Sequence, residues 1–170
     1  MTMFRIVPER SLLWAEARSS LHPIRVETAG LEGFFEVAMT DHGPDLRVQP
    51  TGRIEIDAEL LKTGSFLHDR ELTQRLEIKT YPRVRGEVVE VQELGADGRY
   101  RVRGNLSFHG VTRPVEGDVQ LRVADDGTVE VEGEQVIDMR DFGLEPPRLL
   151  MLRVYPEVRV RGHVVARREE

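Results

Sequence analysis

The side chains best suited to acid-base or metal chemistry are five histidines, His22, His42, His68, His109 and His163, set among 30 carboxylates. No two of them fall at His-x-His or His-x-x-x-His spacing, the arrangements that place two imidazoles on one face for a metal. Only Asp41-His42 and His68-Asp69 put a carboxylate beside an imidazole. The chain has no cysteine, which excludes disulfides, thiolate zinc sites and cysteine nucleophiles. No serine sits in a Gly-x-Ser-x-Gly elbow. Ser107 and His109 share a strand face, where they read as surface polarity with a turn contact from His109. An enzyme reading therefore needs the tertiary structure to gather some of His22, His42, His68, Asp69 and His109 as acid, base or metal ligands.

Charge points elsewhere. With 24 basic and 30 acidic residues the net charge is −6, so no general attraction to a phosphate backbone is expected and nucleic acid is not a partner. The stripe Arg99, Arg101, Arg103 is expected in a cross-strand ion network, with Arg103 opposite Gln120 and with Asp118 and Glu116 close by. Among the basic residues only Lys62 and Lys79 are lysine. Asn105-Leu106-Ser107 matches the glycosylation triplet by accident. Near the start, Phe4, Arg5, Pro8, Glu9 and Arg10 interrupt any apolar run, and nowhere do about 18 apolar residues follow one another. The leading methionine and the missing leader make the expected location cytoplasmic.

The elements that must position these residues show period two. Tyr100, Val102, Gly104, Leu106 and Phe108 alternate with polar neighbours, as do Val115 to Val123 and Val129 to Met139. A one-residue slip would turn a strand inside out, so parity fixes the turns. A three-residue loop of Asp125, Asp126 and Gly127 sets Val123 opposite Val129 and Leu121 opposite Val131, with Gly127 at positive φ. Between the first two runs the same argument pairs Phe108 with Val115 and predicts a turn of about six residues.

Weaker strands are expected at Phe4 to Val7, Ser11 to Arg18, Phe34 to Met39, Gly52 to Ala58, Val84 to Glu93 and Arg153 to Ala166. One or two short helices fit Glu59 to Ile78, where leucines recur at helical spacing. His22-Pro23 is expected to begin an irregular or helical connection, and Glu145-Pro146-Pro147-Arg148 a turn or extended loop. The expected fold is all-β: a closed antiparallel barrel of about eight strands, or a sandwich, with a short helical insertion. Residues 1–166 form one domain, and Arg167 to Glu170 a solvated tail. The inward glycines Gly104, Gly117 and Gly133 favour a cavity, and Gln135 is an inward polar group needing a partner or a ligand.

The run Gly104-Asn105-Leu106-Ser107-Phe108-His109-Gly110-Val111-Thr112-Arg113-Pro114-Val115 resembles the signature of the YceI-like family, lipocalin-like barrels that bind polyisoprenoid lipids. Thr63-Gly64-Ser65 with Asp69, Leu72 and Tyr81-Pro82 agrees, as do Ser11 and His22 before Gly33-Phe34-Phe35, and Ile137 through Asp141-Phe142-Gly143-Leu144. The chain departs from the family at His68 and Glu71, where arginine and histidine are usual. It departs again at Gly86 and Val88, which replace phenylalanine and serine. These positions bear on the pocket mouth and on head-group recognition.

The resemblance implies a non-catalytic carrier for a long apolar isoprenoid or isoprenoid-quinone lipid, with no other cofactor, compatible with a homodimer. The expected lining is Leu13, Ala15, Phe35, Val37, Ile54, Ile56, Tyr100, Val102, Leu106, Phe108, Val119, Leu121, Ile137, Met139 and Val160. The alternative is an enzyme acting on an apolar substrate in the same cavity.

Overall fold

In the computed structural model, all residues are described except Ala96, Pro147 and Leu150, with Arg148 and Leu149 described by backbone alone. The strands are β1 (Thr2–Ile6), β2 (Leu12–Ser19), β3 (Ile24–Thr28), β4 (Glu32–Val37), β5 (Met39–Thr40), β6 (Gly43–Pro44) and β7 (Thr51–Asp57). After the helix α1 (Phe66–Arg75) come β8 (Arg83–Glu93), β9 (Arg99–Phe108), β10 (Val111–Val123), β11 (Val129–Asp138), β12 (Arg148–Leu149) and β13 (Leu152–Arg168). The order β1-β4-β7-β8-β9-β10-β11-β13 is antiparallel throughout, and β13 returns to β1, closing an eight-stranded barrel. At 17 residues β13 is long enough to carry β2 along Val154 to His163 and then β1 along Ala166 to Arg168 on the same edge. β3 continues outward from β2, and its other edge is bridged where Glu27 and Lys62 exchange backbone hydrogen bonds of 2.9 and 3.0 Å.

The register of β10 and β11 is the expected one, with Leu121 opposite Val131 and Val123 opposite Val129. Gly127 has φ +81, a conformation costly for any residue with a Cβ, and Asp126 accepts the Thr128 amide at 2.9 Å. The β9–β10 register differs from expectation. The turn has two residues, His109 and Gly110, with φ +54 and +74, and pairs Phe108 with Val111 rather than Val115. The shift is four residues, an even number, so every side chain keeps its face. Parity could not see it, because a histidine tolerating the left-handed region permits the tighter turn. Arg103 accordingly faces Glu116, not Gln120, while Arg101 faces Asp118 and bonds it at 2.9 Å.

β3 forms where an irregular or helical connection was expected. Its alternation of Ile24, Val26 and Thr28 with Arg25 and Glu27 spans only five residues, too few to stand out after Pro23. Met139 lies not in a strand but at the start of a 3-10 turn, Met139–Phe142, which begins as β11 ends at Asp138. Arg167 and Arg168 are exposed as expected of a tail, but their backbones extend β13 against β1. Of the loop Glu145-Pro146-Pro147-Arg148, Pro147 lies outside the described residues, and Arg148 opens β12.

The helical insertion resolves into α1, preceded by a single 3-10 turn at Ala58–Leu60. Ser65 caps α1 by accepting the His68 amide, and Arg75 stands in the last turn, where a cation suits the helix dipole. Asp69 Oδ1 reaches back to the Thr63 amide at 2.6 Å and its hydroxyl at 2.7 Å, fixing the loop that leads in. Leu72 and Leu76 turn toward the barrel and pack with Ala17, Ile24, Met139, Leu144 and Leu152, so α1 covers one end.

Candidate functional site

Between two apolar clusters the barrel encloses a cavity of about 450 Å³. The far end is filled by Phe4, Val129 and Ala166 with Phe35, Val37, Met39, Leu121 and Val131 packed on them. The near end is the layer under α1. Walls come from β2, β3, β7, β8, β9, β10, β11 and β13, and Leu61, Leu72 and Leu76 form part of the cover. Exposed Arg75 of α1 and exposed Glu145 belong to the lining, which places the mouth between α1 and the segment after the Met139–Phe142 turn.

Eleven of the fifteen expected lining residues face this cavity: Leu13, Ala15, Ile54, Ile56, Val102, Leu106, Phe108, Val119, Ile137, Met139 and Val160. Phe35, Val37 and Leu121 do not. They belong to the far end, where residues of β1 and β4 pack against residues of the β10–β11 hairpin. Tyr100 also stays outside the lining. It is half-buried near the start of β9, opposite Val119 and Glu93, where burial and then the Glu93 charge push its phenol pKa up. Alternation tells which face a residue is on but not how far along the barrel axis the space extends.

The inward glycines Gly104, Gly117 and Gly133 all line the cavity, as do Gly86 and Val88, two departures from the family pattern. Val115 and Val131 line it too and lie on stripes legible in the sequence. Val26 lies on the short alternation of β3, and Val154 and Val158 flank an irregularity in the pairing of β13 with β2. Gln135 faces the cavity, and among the described residues its amide has no hydrogen-bond partner; Glu87, Asn105, Asp118 and Glu134 border it beside the inward glycines but belong to the outward face by alternation, and Thr63, Arg75 and Glu145 sit by the mouth. Such a wall recognises its occupant by apolar contact, with polar discrimination confined to Gln135 and the rim.

None of the five histidines lines the cavity. His109 turns outward into a clamp: its Nε2 donates to Glu77 Oε2 at 2.6 Å, its Nδ1 lies 3.3 Å from the Phe142 carbonyl, and its ring meets Tyr81 edge-on at 4.8 Å. A side chain at Gly110 would strike the Tyr81 ring at 2.5 Å, so the turn fits only as glycine. Ser107 bonds Thr112 at 2.7 Å instead of a base, and His163 bonds Glu132 at 3.0 Å. Among the described residues no three histidine or carboxylate side chains come together to hold a metal.

A wider concavity of about 830 Å³ lies on the outer face beside Leu12 and Trp14. Its walls carry Arg99, Asp118, Glu132, Glu134, Arg161 and His163, and it is open to water, so it cannot dehydrate an apolar chain. No helix among the described residues is long and apolar enough to cross a membrane.

The family model of the YceI-like domain matches residues 5–166. Burkholderia cenocepacia BcnA is similar in structure, with a TM-score of 0.80 at 17% identity over 94% of this chain and 98% of that one. A polyisoprenoid binding domain from Saccharophagus degradans, implicated in plant cell wall breakdown, gives 0.77 at 17% identity, covering 98% of both. The Campylobacter jejuni YCEI protein gives 0.67 at 14% identity, covering 85% and 84%. At these identities the likeness shows the fold. No curated protein matches the chain.

Proposed function

The chain belongs to the YceI-like family, and on that premise we propose that it is a non-catalytic carrier that holds a long isoprenoid lipid, of polyisoprenoid or isoprenoid-quinone type, in the barrel. The observation that carries the reading is the enclosed cavity of about 450 Å³ walled by aliphatic side chains and glycines. An isoprenoid chain offers no hydrogen bonds, and apolar burial at about 25 cal/mol per Å² is the interaction such a wall supplies. The similar domain from Saccharophagus degradans, described as polyisoprenoid-binding, supports the same ligand class. None of the five histidines lines the cavity, so this reading gives them no part in holding the lipid. A quinone or other polar head would sit at the mouth beside Thr63 and Arg75, with the tail running past Leu106 and Val119.

Mass spectrometry of lipid extracted from the purified protein, with metal analysis on the same sample, tests the proposal. An isoprenoid recovered in stoichiometric amount without metal is the expected result. Stoichiometric metal together with turnover of an apolar substrate would overturn it.

A further inference from the structure

We propose that the α1 end of the barrel docks on the surface of a lipid bilayer bearing anionic headgroups. This rests on the isoprenoid reading, since such a ligand leaves a bilayer at least cost when the cavity mouth lies against it. Three separate segments place large apolar side chains in water at this end. Phe66 is 80% exposed in the first turn of α1, Leu21 80% in the β2–β3 connection, and Met151 94% at the tip of the β12–β13 hairpin. These segments are held together: the backbone of β12 runs beside α1, and Ser20 exchanges bonds with the Arg153 backbone at 2.9 and 3.1 Å. Apolar side chains gathered around an opening mark an interaction site rather than ordinary surface.

Charge identifies the partner. The solvent face of α1 presents Phe66, Leu67, Arg70, Thr73 and Gln74 without a carboxylate, while Asp69 and Glu71 lie on its half-buried side. Asp69 is moreover engaged by Thr63. The chain's two lysines, Lys62 and Lys79, are both exposed and flank this helix. Exposed Glu145 borders the mouth and exposed Glu77 is engaged by His109, against exposed Lys62, Arg70, Arg75 and Lys79, so a protein of net charge −6 keeps an excess of cations beside its exposed apolar residues there, the combination that binds an anionic interface. Their long stems let the charged heads reach phosphates while Phe66 and Met151 enter the headgroup layer.

Co-sedimentation with vesicles tests the surface, using phosphatidylcholine alone or with a quarter phosphatidylglycerol, while isoprenoid content is measured on the same preparation. The wild type should sediment with the anionic vesicles, and Phe66→Ser with Met151→Ser should lower partitioning about tenfold or more. Both residues are largely exposed, so an unchanged thermal midpoint is expected and confirms that the variant is folded. Lys62→Gln with Arg70→Gln should weaken binding to anionic vesicles at low salt. Equal sedimentation of the folded serine variant and the wild type would overturn the proposal. A wild type that carries isoprenoid yet ignores both vesicles would also overturn it and leave the carrier reading intact. Vesicle binding lost in the serine variant by a protein that yields no isoprenoid would support the surface and overturn the carrier reading.

Discussion

Glu77 and His109, both non-glycine residues in the left-handed region with φ +50 and +54, hydrogen-bond one another at 2.6 Å. Glu77 lies just beyond the C-terminal end of α1, and His109 begins the β9–β10 turn. Their bond joins the cover of the cavity to its wall, and Tyr81 and Phe142 complete the clamp around the imidazole.

His109→Asn keeps a residue that tolerates positive φ but lacks the reach to Glu77. Amide exchange in Leu72 to Leu76 should speed up while the global midpoint changes little. His109→Val adds the backbone penalty and should cost roughly 1 to 3 kcal/mol. Unchanged exchange in the asparagine variant would show that the bond does not hold the helix.

Gly127→Val isolates backbone strain, because a Cβ built there meets nothing within 4 Å and only its φ of +81 opposes a side chain. Denaturant unfolding should show a loss of about 1 to 3 kcal/mol, and Gly127→Asn a smaller one. Equal midpoints for the valine variant and the wild type would contradict this turn.

Leu106→Trp and Leu121→Trp should separate cavity from filled core. Leu106 borders open space, so tryptophan there should block lipid loading at little cost to stability. Leu121 sits in the filled far end, where overpacking should cost about 1 to 3 kcal/mol and leave loading intact. Lipid extraction and thermal unfolding read the two effects; the reverse pattern would place the ligand at the other end.

Acid should destabilise the fold. Arg47 holds the Asp45 carboxyl down to about 2, and Arg101, Arg122 and Arg140 hold Asp118, Glu130 and Asp138 below the usual carboxylate range. Groups whose pKa is depressed in the folded state stabilise it fully above about pH 4 and lose that contribution as pH falls through the folded value. The thermal midpoint should therefore drop between about pH 4 and 2, by a modest amount because these pairs are exposed. Asp118→Asn should shrink the drop, and a midpoint that rises on acidification would refute the sign.

Alternation alone determined which side of the wall Leu106, Val119 and Ile137 occupy, because a strand repeats every two residues and a buried face tolerates no odd slip. It also determined the Gly127 hairpin, where only one loop length matches apolar to apolar. The signature run ending in Val115 pointed to the family over nearly the whole chain. Tertiary structure alone decided what parity leaves degenerate. An even slip of four residues at His109-Gly110 preserves every face, so only the clamp with Glu77, Tyr81 and Phe142 distinguishes it. Position along the barrel axis has no sequence period either, and for that reason Phe35, Val37 and Leu121 share the inward face of the lining residues yet fill the closed end. The mouth, too, exists only where α1 and the segment after Phe142 meet, two stretches far apart in the chain that no local pattern connects.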